Sequence, residues 1–425
     1  MGEGCLCGMG QSDSFELESG SNAILLLQLL QVMQVATRAQ LEAITHLSPS
    51  TVSKEVRRLI EAGFAEETGQ MPSMGGRPTR CLAMRPEARC AIGAEFSTHR
   101  LRVVTTDLNA AVQRTDEVEI LALNVELICE QLCALLQRAI AEAGRERVVG
   151  VGIAVPGVAD TDAGRMVIYS DLNLFDYPLG HKVQEATGFF PLIYNRSTSA
   201  AMGERWQGDS RQVQSLFYIA LDAGISGGLI VKGSSYRGAS PAVAEIGHCT
   251  VRPDGPICFC GNRGCLQTVA STSALATRAR ELLKSGRVSL LTEQVNGHIS
   301  RIDAIAVLRA AQENDALAVE ILAEAADYIG IAIGNSINLF SPEQVVLGGP
   351  LIAAYPHPWV DLIRASIYRR TLSYTLQPTK IVVSRLGADS RSIGAAALAV
   401  QHWFASRSPK HFLDLAGIAC AQTGR

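Results

Sequence analysis

Three cysteines and one histidine at close spacing are the residues of this chain best suited to chemistry. They are His248, Cys258, Cys260 and Cys265, in the segment EIGHCTVRPDGPICFCGNRGCLQ. One imidazole and three thiolates complete a tetrahedral zinc site, and the intervening glycines allow the backbone to turn sharply around one ion. Buried free cysteines are the alternative, but the His-x9-Cys-x-Cys-x4-Cys pattern favours a structural zinc knuckle.

The 425-residue chain has the composition of a globular protein of two or three domains, with 47% hydrophobic and 19% charged residues. Eleven cysteines in so long a chain do not indicate a disulfide scaffold, and reduced thiols predict a cytoplasmic protein. The N-terminus lacks the basic and apolar regions of a signal peptide. Glutamines interrupt the longest apolar stretch, AILLLQLLQVMQVA, so no membrane association is expected. The net charge of −3 argues against a protein that coats nucleic acid along its length, but it does not exclude a small DNA-binding domain.

Residues 21–86 have the pattern of a small helical domain, preceded by a polar tail (residues 1–20) that is expected to be disordered. One helix begins near Ser21, a capping box opens a second at Thr37, and Ser48 caps a third. Two short strands follow, in FAEETG and RPTRCLAM. This order of elements predicts a winged helix-turn-helix.

The third helix has one apolar face and one polar, basic face. Small hydroxyl side chains let a helix lie in the major groove, and basic side chains reach phosphates or base edges. The predicted DNA contacts are Ser50, Thr51, Ser53, Lys54, Arg57 and Arg58 on this helix and Arg77 and Arg80 on the wing. The alternative is a dimerisation or regulatory domain with solvated charges. Because acidic and basic residues nearly balance here, the order of the elements rather than the charge favours DNA binding.

From residue 87 to residue 403, β-branched strands alternate with Ala/Leu-rich helices, which indicates an α/β domain. The cycle that starts at AIGAEF recurs from LFYIALDAGISGG, so two lobes are expected to face each other across a ligand-binding cleft. Residues 404–425 are expected to form a C-terminal tail.

Together these segments resemble the ROK family of bacterial sugar kinases and sugar-responsive repressors. GASPAVAEIGH matches the family's glycine-rich Glu-x-Gly-His segment, and CFCGNRGC matches its cysteine knuckle. LSPSTVSKEVRRLIEAGFAEETG with GGRPT is similar to the DNA-binding module of the regulator branch. The resemblance covers the chain from about Ser21 to about Gln401. It implies a two-lobed actin-like or ribonuclease-H-like fold with the sugar, and in kinases ATP, between the lobes.

The resemblance also implies a sugar site. Glu245 and His248 would hydrogen-bond sugar hydroxyls, His248 would bind zinc through its other ring nitrogen, and Asn195 and Asn173 would line the pocket. Each has a structural alternative, since Asn195 could cap a helix, Asn173 could hold a turn and Glu245 could be a solvated surface acid. Gln267 stands where the family commonly has a sugar-binding glutamate, so the ligand preference is expected to differ from the usual hexoses.

Three segments depart from the kinase pattern that the resemblance implies. Arg196 replaces the catalytic aspartate, and a permanently protonated arginine cannot accept a proton. Residues 95–99 (EFSTH) match the first phosphate loop but have Ser97 and Thr98 in place of its two glycines and His99 in place of its threonine. In the second loop Asp222 adds negative charge while Ala223 replaces threonine. A cation at Arg196 suits a phosphorylated or acidic sugar, or it pairs with a nearby acid and only blocks catalysis.

The sequence therefore predicts a cytoplasmic, sugar-responsive transcriptional repressor with a catalytically inactive kinase-like sensor, located at the nucleoid when bound to its operator. It is expected to bind a palindromic operator as a homodimer or homotetramer, because a single winged helix-turn-helix contacts few bases. A sugar or sugar phosphate is expected to release it. Two alternatives stay open, an active sugar kinase with an accessory DNA-binding domain and a regulator controlled by a protein partner.

Overall fold

The computed structural model of the chain describes residues 21–71, 79–97, 99–169, 172–211, 213–354 and 357–408. The predicted disordered tail, Arg77 in the predicted wing, and residues 409–425 of the predicted C-terminal tail lie outside this part. The chain divides into two compact units, residues 1–88 with 401–425, and residues 89–400. No helix in the described ranges is both long enough and apolar enough to cross a membrane.

The helices have the following bounds in chain order: α1 Asn22–Met33, α2 Arg38–Thr45, α3 Pro49–Glu61, α4 Val125–Ala143, α5 Leu179–Thr187, α6 Arg196–Gln207, α7 Leu266–Ala270, α8 Thr272–Lys284, α9 Leu291–Gln294, α10 Ala304–Gln312, α11 Ala316–Phe340, α12 Pro350–Ala354, α13 His357–Arg370, α14 Ser373–Leu376 and α15 Asp389–Ala405.

The strands are β1 Val35–Thr37, β2 Ala65–Met71, β3 Thr79–Met84, β4 Cys90–Glu95, β5 Arg100–Asp107, β6 Val112–Glu119, β7 Val148–Val155, β8 Val158–Asp160, β9 Arg165–Tyr169, β10 Leu174–Tyr177, β11 Leu192–Asn195, β12 Leu216–Leu221, β13 Ile225–Val231, β14 Ser234–Ser235, β15 Gln344–Gly348 and β16 Lys380–Val383.

The N-terminal unit packs α1, α2 and α3 with an antiparallel sheet of order β1-β3-β2. Its helices begin where the predicted caps stand. The Thr37 hydroxyl accepts a hydrogen bond from the Gln40 backbone N–H, and the Gln40 side chain accepts one from the Thr37 backbone N–H. The Ser48 hydroxyl accepts from the Thr51 backbone N–H at the start of α3. These bonds satisfy N–H groups that a helix terminus leaves without intrahelical partners.

The second unit contains two lobes with the same sheet order. In the N lobe (residues 89–195) the order is β6-β5-β4-β7-β11, and in the C lobe (residues 213–384) it is β14-β13-β12-β15-β16. Each sheet has an antiparallel three-strand meander followed by two parallel strands. The predicted repetition of one α/β cycle is therefore present as a duplicated sheet.

Helices α6 and α15 lie between the two sheets, and they pack so closely that small residues are required. A Cβ atom on Gly394 would stand 1.6 Å from the Ser199 carbonyl oxygen of α6, and one on Gly93 in β4 would stand 2.0 Å from the Ser392 carbonyl oxygen of α15. Since such distances are far inside van der Waals contact, both positions need glycine. The two helices place their N-terminal residues at the cleft between the lobes.

Helix α15 runs across the predicted end of the sensor domain at residue 403. Helix α15 continues to Ala405, and the described residues from Gln401 onward group with the N-terminal unit. Trp403 and Phe404 are buried, with their ring centroids 4.8 Å apart, and the Ser408 hydroxyl hydrogen-bonds to Gln28 of α1. Burial of these two aromatic side chains holds the end of α15 in the folded protein.

Candidate functional site

The predicted zinc ligands lie together. One ligand atom from each of His248, Cys258, Cys260 and Cys265 falls within 4.8 Å of every other. The Cys260 and Cys265 Sγ atoms are 3.7 Å apart, and Cys258 Sγ lies 3.6 Å from His248 Nδ1. In a tetrahedral zinc site with bonds of about 2.0 to 2.3 Å, neighbouring ligand atoms stand about as far apart as the Sγ and Nδ1 atoms do here. These four residues therefore fit a zinc ion.

Local geometry supports the same conclusion, whereas the pKa shifts of the ligands differ: burial raises the pKa of the Cys265 thiol to about 12. A Cβ on Gly264, whose φ is +69°, would stand 1.5 Å from the Arg252 carbonyl oxygen, so glycine is required at this turn. Burial alone would raise the pKa of the Cys258 thiol, but hydrogen bonds from the Cys260 backbone and the Gln267 side chain outweigh it and lower this pKa. Burial lowers the pKa of His248. Thiolate and neutral imidazole are the protonation states that bind zinc.

A cavity of about 270 Å³ opens between the N lobe and the C lobe. The N lobe contributes residues 157–162, Tyr194 and Asn195 to its wall, and the C lobe contributes residues 235–241, Val243 and Glu245. Its volume suits a single small molecule such as a monosaccharide. The lining includes several short polar side chains, among them Asp160, Thr161 and Thr198, which can exchange hydrogen bonds with hydroxyl groups.

Two of the predicted sugar-binding residues line this cavity. The Asn195 side chain donates to the Gly157 carbonyl oxygen at 2.6 Å and accepts from the Ser197 backbone N–H at 2.7 Å, so it both caps α6 and shapes the cavity wall. Glu245 is half-buried, and burial raises the pKa of its carboxyl. The solvated-surface alternative for Glu245 therefore does not fit, whereas the capping alternative for Asn195 holds alongside its place in the wall.

Four other predicted sugar-binding residues lie off the cavity wall as the described residues define it. Asn173 is exposed in the turn before β10 with φ +49°, which matches its turn alternative. The Gln267 amide donates to Cys258 Sγ at 3.3 Å, so this side chain serves the cysteine cluster. His248 is directed to the same cluster. Arg196 lies deeper, beside Glu95.

An arginine that sequence reasoning missed occupies the region of the two degenerate phosphate loops. Arg391, near the start of α15, has Nη1 2.7 Å from Glu95 Oε1 at the end of β4 and Nη2 3.4 Å from Asp222 Oδ2 after β12. The Arg196 guanidinium lies 3.8 Å from the same Glu95 oxygen. Two arginines and two carboxylates thus compensate one another at the two segments that the family resemblance aligns with the phosphate loops.

A second missed arginine spans the mouth of the cavity. Arg237, after β14 in the C lobe, contacts Asp162 and Tyr194 of the N lobe. It directly precedes the GASPAVAEIGH segment, which is the one signal in the sequence that could have found it. Arg391 had no such signal, because 296 positions separate it from Glu95.

The polar face predicted on α3 is accessible. Val52, Val56 and Leu59 are fully buried, while Ser50, Ser53, Lys54 and Arg57 are exposed and Thr51 and Arg58 are half-buried. Arg58 pairs with Glu55 at 2.9 Å. On the sheet, Glu67 of β2 pairs with both Arg80 of β3 and Arg38 of α2.

Comparison with known proteins identifies the family of the larger unit. A family model described as "ROK family" matches residues 92–402. The chain belongs to the ROK family. The match begins after residue 88, so residues 1–88 lie outside the matched ROK region. The resemblance that the motifs indicated is confirmed.

The ROK chain is similar to both regulators and kinases. The xylose repressor of Bacillus subtilis (strain 168) is 27% identical over 397 residues, which is 93% of this chain and 98% of that protein. A ROK family transcriptional regulator described as a homolog of the E. coli MLC protein superposes with a TM-score of 0.76 at 24% identity, over 93% of this chain and 99% of that one. A ROK glucokinase from Streptomyces griseus, in complex with glucose and AMPPNP, gives 0.62 at 27% identity over 73% of this chain and 99% of that one.

Proposed function

We propose that this ROK chain is a sugar-responsive transcriptional repressor whose N-terminal unit is a winged helix-turn-helix and whose ROK domain is a sensor without kinase activity. The observation that carries the proposal is the pairing of an accessible polar α3 with a ROK domain that keeps a sugar-sized cavity but fills its phosphate region with Arg391, Glu95 and Asp222. The match to a xylose repressor over nearly the whole of both chains supports it.

The DNA interface is assigned to the α2–α3 pair and the β2–β3 hairpin. Lys54 and Arg57 project from the exposed face of α3, where basic side chains reach phosphates or base edges when a recognition helix enters the major groove. Arg80 stands on the hairpin and pairs with Glu67, which holds it next to Arg38 of α2. The protein is proposed to bind a palindromic operator as a homodimer or homotetramer, because two linked DNA-binding units recognise more bases than one.

Loss of kinase activity is attributed to charge as well as to the missing base. Arg196 cannot take the proton of a sugar hydroxyl. The carboxylates of Glu95 and Asp222 are bound to Arg391, so the region has little surplus positive charge for a triphosphate. Nucleotide phosphates would have to displace these ion pairs before they could bind.

The effector is proposed to be an uncharged sugar held by Asn195 and Glu245. Arg196 is next to Glu95 rather than on the cavity wall, which supports the alternative in which it pairs with an acid. Of the described lining residues, Asp160, Asp162 and Glu245 are acidic and Arg237 alone is basic. This balance disfavours a sugar phosphate. Zinc at the cysteine cluster is assigned a structural role next to Glu245, three residues before His248.

The proposal is tested with the full-length protein in three measurements. DNA is selected from a random-sequence library, its affinity is measured with and without D-xylose, D-glucose and their phosphates, and ATP hydrolysis is followed with the same sugars. We expect selected palindromic DNA, weaker DNA binding in one uncharged sugar, and no sugar-dependent hydrolysis. Sugar-dependent hydrolysis would favour the kinase alternative, and DNA binding that no sugar affects would favour control by a protein partner.

A further inference from the structure

The mouth of the cavity holds a contact between the lobes that the motifs do not explain. Arg237 Nη1 of the C lobe lies 2.7 Å from Asp162 Oδ1 of the N lobe. Its Nη2 donates to the Tyr194 hydroxyl at 3.2 Å, and its Cζ stands 6.0 Å from the centroid of the Tyr194 ring. One guanidinium therefore joins two separate elements of the opposite lobe, the β8–β9 turn and strand β11.

Both ends of this bridge are anchored in their own lobes. On the N-lobe side, Asp160 accepts hydrogen bonds from the backbone N–H groups of residues 162 and 163, and the Thr161 hydroxyl donates to the Ile193 carbonyl oxygen at 2.7 Å. On the C-lobe side, the Tyr236 backbone N–H donates to the Leu229 carbonyl oxygen at 2.8 Å. A change in the distance between Arg237 and Asp162 therefore accompanies a change in the relative position of the two lobes.

The bridge is too exposed to hold the lobes by itself. The side chains of Arg237 and Asp162 are 49% and 84% exposed, and exposed ion pairs contribute little to stability. A contact of this strength is readily reorganised by a ligand that adds or removes hydrogen bonds. The bridge is thus suited to sensing what the cavity contains rather than to fixing the fold.

Arg237 also faces the cavity, where it is the one basic side chain among the described lining residues. An arginine has five N–H donors, and its two contacts with the N lobe use two of them. Sugar hydroxyls both donate and accept hydrogen bonds. A bound sugar can therefore accept from the Arg237 guanidinium and donate to the Asp162 carboxylate, so that one ligand completes the contact between the lobes.

We infer that Arg237 is an effector-binding residue that couples sugar occupancy to the linkage of the two lobes through Asp162 and Tyr194. The inference rests on the proposed function, because it takes the cavity as the effector site. A ligand changes a conformational equilibrium only by its differential contacts with the two states, and the Arg237 bridge supplies such a contact. If the sugar contacted residues of one lobe only, its binding would not affect the contact between the two lobes.

The test compares Arg237→Met with Arg237→Lys and with a matched control, Arg287→Met. Arg287 forms an ion pair of the same length with Glu320, with side chains 46% and 49% exposed, inside the C lobe and away from the cavity. Affinity for D-xylose and D-glucose is measured by calorimetry on the full chain. Hydrogen exchange of the β8–β9 segment is followed with and without each sugar, and melting temperature is recorded without sugar.

One of the sugars is expected to bind the unaltered protein, and we expect Arg237→Met to lower the affinity for that sugar at least tenfold. The substitution should also abolish the protection from hydrogen exchange that this sugar gives the β8–β9 segment. Arg237→Lys should recover part of the affinity because it keeps the charge without the fork of donors, and Arg287→Met should change neither quantity. Unaltered affinity and protection in Arg237→Met would overturn the inference. So would a lowered melting temperature without sugar that Arg237→Lys leaves uncorrected, since that result indicates a structural role. Failure of every sugar to bind the unaltered protein would overturn the proposed function itself.

Discussion

Arg391 Nη1 lies 2.7 Å from Glu95 Oε1, which places the N-terminal turn of α15 on the carboxylate that ends β4. The Glu95 side chain is 3% exposed, and its nearest cation is Arg391, with Arg196 farther away at 3.8 Å. Removing one partner of a buried ion pair costs about 3 to 5 kcal/mol, because the other charge stays buried. We expect Arg391→Met to lower the free energy of unfolding by about 3 kcal/mol in denaturant titrations. The double variant Glu95→Gln/Arg391→Met should recover much of that loss, and an equal loss in both variants would contradict the prediction.

Metal removal should destabilise the protein through the cysteine cluster. A structural zinc ion binds only the folded chain, so its binding free energy adds to folding. We expect a chelator, and the variant Cys258→Ser, to lower the melting temperature by at least about 5 °C. Cys249→Ser is the control, because Cys249 is exposed and outside the cluster. Metal analysis should give one zinc ion per chain, and an unchanged melting temperature after verified metal loss would count against a structural site.

DNA binding should depend on Lys54 in a manner typical of a phosphate contact. Each phosphate contact releases a counterion, so its loss reduces the salt dependence of binding. We expect Lys54→Ala to lower the affinity for the selected DNA about tenfold at low salt. It should also reduce the slope of log affinity against log salt concentration by about 1. Lys284→Ala, an exposed lysine at the end of α8 in the ROK domain, should leave both unchanged. Equal effects of the two substitutions would indicate nonspecific attraction rather than an α3 interface.

The charge of the cavity predicts discrimination between a sugar and its phosphate. Because carboxylates outnumber the single guanidinium among the described lining residues, a phosphate dianion would be repelled. We expect the uncharged form of the effector sugar to bind at least tenfold more tightly than its phosphate in calorimetry at one ionic strength. Tighter binding of the phosphate would revive the interpretation of Arg196 as an anion-binding residue.

Glu204 should make stability depend on pH. It is fully buried in α6, and burial raises the pKa of its carboxyl above 4.5, the value it would have in an unfolded chain. The folded state therefore holds this proton more tightly, so the group destabilises the protein as pH rises above its unfolded pKa. Glu204→Gln should gain stability relative to the unaltered protein between acidic and neutral pH, as measured by denaturant midpoints. A stability difference that does not change with pH would contradict this assignment.

The cysteine cluster and the order of elements could be predicted because their determinants are local in sequence. The zinc ligands fall in one short segment, and the caps at Thr37 and Ser48 act on their own helices. The three-residue strand β1 was missed, since it exists only through pairing with β3.

The charged contacts were missed for a similar reason. Arg391 meets Glu95 across 296 positions and Arg237 meets Asp162 across 75, and neither pair has a periodic pattern or a motif. The resemblance supplied Asn195 and Glu245 on the cavity wall but also Asn173, which the structure places in an exposed turn. Family motifs identify positions, whereas the side-chain directions at those positions depend on the packing of each chain.

The ion pairs of Arg391 bear on how such a regulator would behave in a living cell. A sensor that needs ATP to change shape would respond to starvation as well as to its sugar. Arg391 pairs with Glu95 and Asp222 in the two segments that the family resemblance aligns with phosphate loops. If these pairs exclude ATP, as we propose, we expect the response to follow sugar supply alone. The transcriptional output would then be the same in energy-rich and energy-depleted cells at equal sugar concentration.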